Sequence, residues 1–299
     1  MKLTTLLTLT LLSVQSIFGQ FYIESSFGYA MGLNGVEDED SHLNTNYISG
    51  QNVFTRERIK NFQYLSAGPT INTSIGWLSE RPLSFRFQTS YHLGNQGTVS
   101  QTIHSTSDST IIDSEDKQTY RFTGFKWSPC FTVRKQGEKW SGEIAVGPSF
   151  LILGNLIRGS QFIEEFTDLI TPSQSGVTSD DAYVWKYYGG IGIGATGSFS
   201  ALYHVNKSIS ISLGLSINAL QWSPKYGMKL SHIYYGQDIF DDLPTSDKEI
   251  IFSSEYTVDG PIDTSEPLTT LKVNYPLSSI DFKIGLRIKL NQNQEEHDS

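Results

Sequence analysis

Eight charged residues fall on the polar phase of alternating stretches: Glu24, Arg86, Lys126, Glu143, Asp281, Lys283, Arg287 and Lys289. Charges of mixed sign gathered in one narrow space can pair and plug it, or line a path for small ions with a slight anion preference. A catalytic use needs more. Of the histidines His42, His92, His104, His204 and His232, none shows a His-x-Ser pairing or an adjacent acid arranged to activate a nucleophile. No catalytic residue is therefore assigned, although Asp and His brought together from separate stretches would leave no linear trace. Cys130 is the single cysteine, so no intramolecular disulfide is available, and it reads as a small buried thiol. Acidic clusters recur at Glu37–Asp40, Asp108 to Asp116, Glu164–Glu165, Asp180–Asp181 and Asp238 to Asp242. Divalent cations are their natural partners, bound directly or bridged to lipid phosphates. None has the Asp-x-Asp-x-Asp-Gly spacing of a dedicated calcium site, so a solvated surface is the plainer expectation, with no metal site and no cofactor. The glycines of Gly189–Gly194 have no helix after them and are expected to be close-packing positions inside a strand.

The elements that must hold these residues are strands. From Ser279 to Leu290 the apolar Ile280, Phe282, Ile284, Leu286, Ile288 and Leu290 alternate with Asp281, Lys283, Gly285, Arg287 and Lys289. A strand sends successive side chains to opposite faces, so one side is oily and the other charged. Similar alternation runs through 21–33, 62–78, 83–95, 118–133, 139–155, 184–203 and 208–220, which makes eight segments. The polar phase is mostly Gly, Ser and Thr, unlike the Lys- and Glu-rich outer face of a soluble sandwich. Small polar residues suit the cramped interior of a narrow cylinder. The expected fold is all-β: an eight-stranded antiparallel up-and-down transmembrane β-barrel, its apolar side turned to lipid.

Connection lengths alternate. Short turns are expected at 79–82, 134–138 and 204–207, and long extracellular loops at 34–61, 96–117, 156–183 and 225–273. The long connections hold 23 of the 31 acids and 9 of the 22 bases, an excess of 14 negative charges. The whole chain of 299 residues carries −9, and an acidic exterior argues against nucleic acid as a partner. Trp77, Trp140 and Tyr203 at the short-turn ends, with Tyr64, Tyr120, Trp185, Trp222 and Tyr275 at the long-loop ends, are expected to form two aromatic girdles. Met228–Tyr235 and Glu249–Val258 are expected as an extracellular hairpin, ten spanning strands being the alternative. Residues 1–19 read as a cleaved export signal, residues 20–290 as the barrel, and residues 291–299 as a polar tail. No run of eighteen apolar residues is present for a spanning helix.

With these features the chain resembles the small outer-membrane β-barrel proteins of Bacteroidota-type bacteria and, more loosely, the eight-stranded barrels of the OmpA, OmpX and OmpW type. The most specific element is Lys283, Gly285, Ile288 and Leu290, which looks like the terminal signal read by the barrel-assembly machinery. Ile288 and Leu290 stand where that pattern prefers aromatics, and a tail follows them. The resemblance implies export to the outer membrane of a Gram-negative bacterium, with the lipid bilayer, lipopolysaccharide and the assembly machinery as partners. It does not carry a function. The expectation is a non-enzymatic structural, surface-recognition or adhesion role through acidic loops. A conduit for small or apolar solutes comes second, and a hydrolase acting on lipid A or peptides third.

Overall fold

The computed structural model describes residues 20–33, 47–49, 52–59, 65–78, 83–106, 110–171, 173, 175–255 and 263–290. The export signal, the turn at 79–82, the tail at 291–299, His42 and the acids of 37–40 lie outside them. Seventeen strands follow in order: β1 (Gln20–Gly32), β2 (Tyr47–Ser49), β3 (Asn52–Ile59), β4 (Gly68–Leu78), β5 (Leu83–Leu93), β6 (Gly97–Thr106), β7 (Thr110–Lys135), β8 (Trp140–Asp168), β9 (Gly176–Tyr188), β10 (Gly192–His204), β11 (Ile209–Trp222), β12 (Tyr226–Tyr234), β13 (Gln237–Asp238), β14 (Glu249–Ser253), β15 (Leu268–Leu271), β16 (Tyr275–Pro276) and β17 (Ser279–Lys289).

Eight of them close a ring. β1 pairs with β4, β4 with β5, β5 with β7, β7 with β8, β8 with β10, β10 with β11 and β11 with β17. β17 then returns to β1 through Met31↔Ile280 down to Tyr22↔Lys289. Every pairing is antiparallel, so the expected eight-stranded barrel is the one formed. Closure leaves the ring no free edge. Alternation then decides what fills it. Phe27 is 59% exposed, Ile193 64% and Phe282 55%, all pointing outward. Their neighbours in sequence point in and are buried, among them Ser74, Gln88, Ser128, Thr196, Ser212 and Asn218. A mean hydropathy of only −0.25 is explained by this inversion, because half of each strand is polar and faces inward.

β7 and β8 run on for 26 and 29 residues. About ten residues of tilted strand cross a bilayer's apolar core, and both strands outrun the ring: β7 pairs with β5 only from Thr123 on, and β8 with β10 only up to Leu151. Above it they pair with each other from Thr110↔Asp168 downward and are joined by β6 on one side and β9 on the other. β3 extends this outer sheet beyond β6, and β12 beyond β9. The connections expected as loops at 96–117, 156–183 and 225–273 thus contain long paired strands. Hydrophobic periodicity missed them because Thr, Asp, Glu and Gln occupy both faces there, and backbone pairing needs no oily side. β12 and β14 belong to this outer sheet and not to the ring, which excludes ten spanning strands.

One register shift matters for the lumen. Phe125 pairs with Leu153 and Lys126 with Leu151, leaving Ile152 as an extra residue in β8. Ile152 and Leu153 are consequently both exposed. Above the bulge the inward phase passes to Gly154 and Leu156. The aromatic girdle expected at the long-loop end is corrected here, with Tyr64 outside the described residues and Trp185 packed against the interior cluster. Tyr120 and Trp222 are buried inside with Phe122, Leu151, Leu156, Tyr187, Leu220, Leu65 and Leu277, and Tyr275 packs against that cluster. Trp222 is an even residue on a strand whose odd residues face out, so alternation alone turns it inward. Trp140 and Tyr203 do face outward at the short-turn end, ring centroids 5.0 Å apart. The glycine run divides: Gly192 and Gly194 lie inside β10 as close-packing positions, and only Gly189 and Gly190 leave the strand. Gly189 and Gly190 have φ of 73° and 71° and form the turn between β9 and β10. A Cβ at Gly190 would lie 2.0 Å from the Ser223 carbonyl oxygen.

Candidate functional site

The lumen is built in tiers. Lowest is Arg287, 1% exposed, which spans from β17 to two carboxylates. Its Nε and Nη2 donate to Glu24 Oε2 at 2.9 and 2.6 Å, and Nη2 donates to Glu143 Oε2 at 2.7 Å, with Nη1 on Glu143 Oε1. Ser212 Oγ donates to the free Glu24 oxygen at 2.9 Å, and Arg134 Nε lies 3.7 Å from Glu143. The guanidinium also sits 4.0 Å from the Tyr22 ring centroid. Gly76 is directly opposite Tyr22 on β4, which leaves room for the buried phenol. Arg287, Glu24 and Glu143 thus satisfy one another, while the buried Arg134 Nε has no hydrogen-bond partner among the described residues; removing one member strands the others.

Arg86 comes next, donating from Nη2 to Ser198 Oγ at 2.7 Å. Above it, Asn218 accepts from Lys126 and from Thr196 (2.9 Å), and donates to Asp281 at 2.8 Å and Ser279 at 3.2 Å. These contacts reach across the ring: β10 is three strands from β5, and β11 three from β7. The sequence-expected residues therefore divide. Glu24, Glu143 and Arg287 form one group and Lys126 and Asp281 another. Arg86 and Lys283 line a cavity between them, and Lys289 stands half-buried at the lower end. Asn218, the hub of the upper tier, was not singled out by its sequence, since an asparagine among serines carries no distinctive spacing.

The space left is small. One cavity, lined by His92, Ser90, Lys126 and Asp281, has about 40 Å³ for water-sized occupants, and the one below it about 20 Å³. A water needs roughly 10–15 Å³ on that measure, so each holds a few molecules at most. The aromatic cluster around Trp222 closes the outer end. The Trp222 indole N–H donates to the Gly189 carbonyl at 3.0 Å, and its ring meets Phe122 edge-on at 5.5 Å.

A second group lies above the rim on the outer sheet. Arg158 Nη2 donates to Gln118 Oε1 at 2.9 Å, Tyr120 donates to the same oxygen, and Gln118 donates to Asp116 at 3.0 Å. Trp185 and Tyr187 stack with an interplanar angle of 2°. The Lys229 ammonium lies 5.3 Å from the Trp185 centroid and 5.5 Å from that of Tyr183. Burial pulls the Lys229 pKa below its ordinary value, opposed by Asp247 and Asp181. His232 Nε2 meets Asp181 Oδ1 at 2.6 Å, and His104 Nδ1 meets Asp113. The first pair joins residues from separate stretches, a convergence without a linear trace, whereas the second lies within the β6–β7 hairpin. The side-chain partners of His232 are Asp181 and Lys229, neither of them a hydroxyl or thiol nucleophile. At the lower end His204, the last residue of β10, turns inward between Ser141 (2.7 Å) and Ser210 (2.8 Å). Cys130 is buried, its Sγ 3.6 Å from the Ser128 carbonyl oxygen. Among the described residues no group of three His, Cys, Asp or Glu is arranged to hold a metal ion.

No protein-family model matches the chain, and no curated protein does. Ten chains of solved structures match, one of them the outer membrane protease OmpT from Escherichia coli. That match has 8% identity and a TM-score of 0.23, covering 91% of this chain and 94% of that one. A likeness at this level carries no argument about fold or activity.

Proposed function

We propose that the chain is an outer-membrane β-barrel whose plugged ring anchors a rigid acidic sheet outside the cell, for recognition or adhesion and without catalysis. The observation that carries this reading is the continuity of β7 and β8, which pass from the ring into the outer sheet without a break. A lid or a mobile loop would need a hinge there; a display platform needs stiffness. The outward apolar girdle supports insertion in a bilayer, because a water-soluble chain does not expose contiguous apolar surface on this scale. The contacts of Arg287 and Lys126 across the lumen and the aromatic cap argue for a plug in preference to a conduit. The acidic excess of the outer stretches favours basic partners or divalent cations bridging to lipopolysaccharide. Within the reading, the export signal and the small-barrel resemblance support a Gram-negative outer membrane as the location and insertion by the assembly machinery.

The test uses the full chain reconstituted in lipopolysaccharide-containing vesicles. Expected are silent planar-bilayer recordings and salt-sensitive retention of the vesicles on immobilised polylysine. Retention should fall when Asp113, Asp116, Glu164 and Asp180 are changed to Asn or Gln. Large steady channels, or equal retention by the neutralised variant, would overturn the reading. A surface hydrolase is the second reading, favoured by the His232–Asp181 contact alone. Turnover of peptide or lipopolysaccharide that disappears in His232→Ala would establish it.

A further inference from the structure

The lumen contains more cations than carboxylates. Arg86, Lys126, Arg134, Lys283 and Arg287 face Glu24, Glu143 and Asp281. Glu24 and Glu143 are both engaged by Arg287, and Glu143 by Arg134 as well. Asp281 is held by Asn218, Ser279 and Ser216. Lys126 reaches Asn218. Arg86 and Lys283 are left over.

Their surroundings are unusual for lumenal cations, Arg86 being buried and Lys283 half-buried. Arg86 is 4% exposed, and its Nε, buried from solvent, has no hydrogen-bond partner. Lys283 makes no hydrogen bond or ion pair among the described residues. Its register neighbours on the two flanking strands are Gly28 and Gly214, so no side chain stands directly beside it in either pair. Arg86 and Lys283 line the same cavity, together with Ser74, Ser200, Ser212 and Asn72. A desolvated cation without a counter-charge is costly, and among the described residues Glu24 and Asp281, the carboxylates lining the two lumenal cavities, are already hydrogen-bonded.

We propose that this cavity binds one monovalent anion of chloride size, held between the Arg86 guanidinium and the Lys283 ammonium, with serine hydroxyls completing its shell. Size selects the ion. The roughly 20 Å³ available for water-sized occupants fits chloride or bromide and excludes gluconate. Glu24, although it lines the cavity, does not compete for the site, because both its oxygens are already bonded to Arg287 and Ser212. The anion is a fixed counter-ion and not a permeant one, since the tiers above and below are closed by their own contacts. This assignment stands apart from the recognition role, and neither depends on the other.

The experiment is thermal unfolding of the full-length protein in detergent at constant ionic strength, with sodium gluconate replaced stepwise by chloride or bromide. The midpoint is expected to rise and saturate, by about 5 °C once the halide exceeds its dissociation constant a hundredfold. Lys283→Met and Arg86→Met should abolish the response, while Lys289→Met, at the lower end, should keep it. A midpoint indifferent to halide, or a response unchanged in Lys283→Met, would overturn the proposal. Should both lumenal variants fail to fold, bromide-soaked crystals of the wild type decide. An anomalous peak between Arg86 and Lys283 supports the site, and water alone in that position refutes it.

Discussion

Arg287 on β17 donates to Glu143 on β8 at 2.7 Å, although β10 and β11 stand between their strands in the ring. The contact is a spoke across the lumen and not a rung between neighbours. It joins residues 144 positions apart and closes the lower interior. Arg287→Met would leave Glu24 and Glu143 buried without their shared cation. The expected loss is about 3–5 kcal/mol, read as a lower urea midpoint in lipid vesicles. A midpoint equal to wild type would mean that water or other ions reach this tier.

Ile284 faces outward at the middle of β17, between Phe27 and Leu213 on its two neighbours. If the girdle meets hydrocarbon, Ile284→Arg should cost about 2–4 kcal/mol on folding into phospholipid vesicles. Ile284→Leu should be nearly silent. The outcome that counts against a bilayer is a variant that folds as well as wild type, or a wild type soluble and monomeric without detergent.

Trp222 is fully buried at the outer end and packs against Gly154, where a Cβ would lie 2.6 Å from the indole. Trp222→Ala should destabilise by about 3–5 kcal/mol through lost burial and the cavity left behind. Trp222→Phe should cost less, roughly the hydrogen bond to Gly189, about 1 kcal/mol. Detergent unfolding curves for the two variants would separate packing from the indole N–H. Identical losses would remove the hydrogen bond from the account.

The outer sheet should respond to pH through Lys229. Its folded pKa lies below the unfolded one, so the unfolded chain holds the proton more firmly between the two values. Stability therefore rises with pH across that window, which ends near the ordinary lysine pKa of about 10.4. The difference in urea midpoint between wild type and Lys229→Met, followed by Trp185 fluorescence, should drift in favour of wild type as pH climbs toward that value. A difference that stays flat would show that Lys229 titrates as it does in the unfolded chain.

Much of the ring was legible because strand geometry is local. The phase that puts Lys283 and Arg287 on one side of β17 and Phe282 on the other follows from adjacent residues only. The same rule, applied strictly, would have turned Trp222 and Tyr120 inward. Position near a strand end instead suggested an interfacial girdle. The outer halves of β7 and β8 were illegible for another reason, since polar residues on both faces give no period to detect. His232 and Asp181 lie 51 positions apart on strands that are neighbours only in the outer sheet.

The sequence alone determined most of the inward and outward phase of the strands and where acid accumulates, because each follows from a two-residue period or from composition; the outer pairing of β12 and β14 chose eight strands over ten. Only the tertiary structure decided who meets whom. Barrel closure and the stagger of eight strands bring Arg287 to Glu143, give Lys283 glycines on both flanks, and carry two strands past the rim. A repeat of two residues fixes a direction, but partners across a cylinder depend on the register of every strand between them.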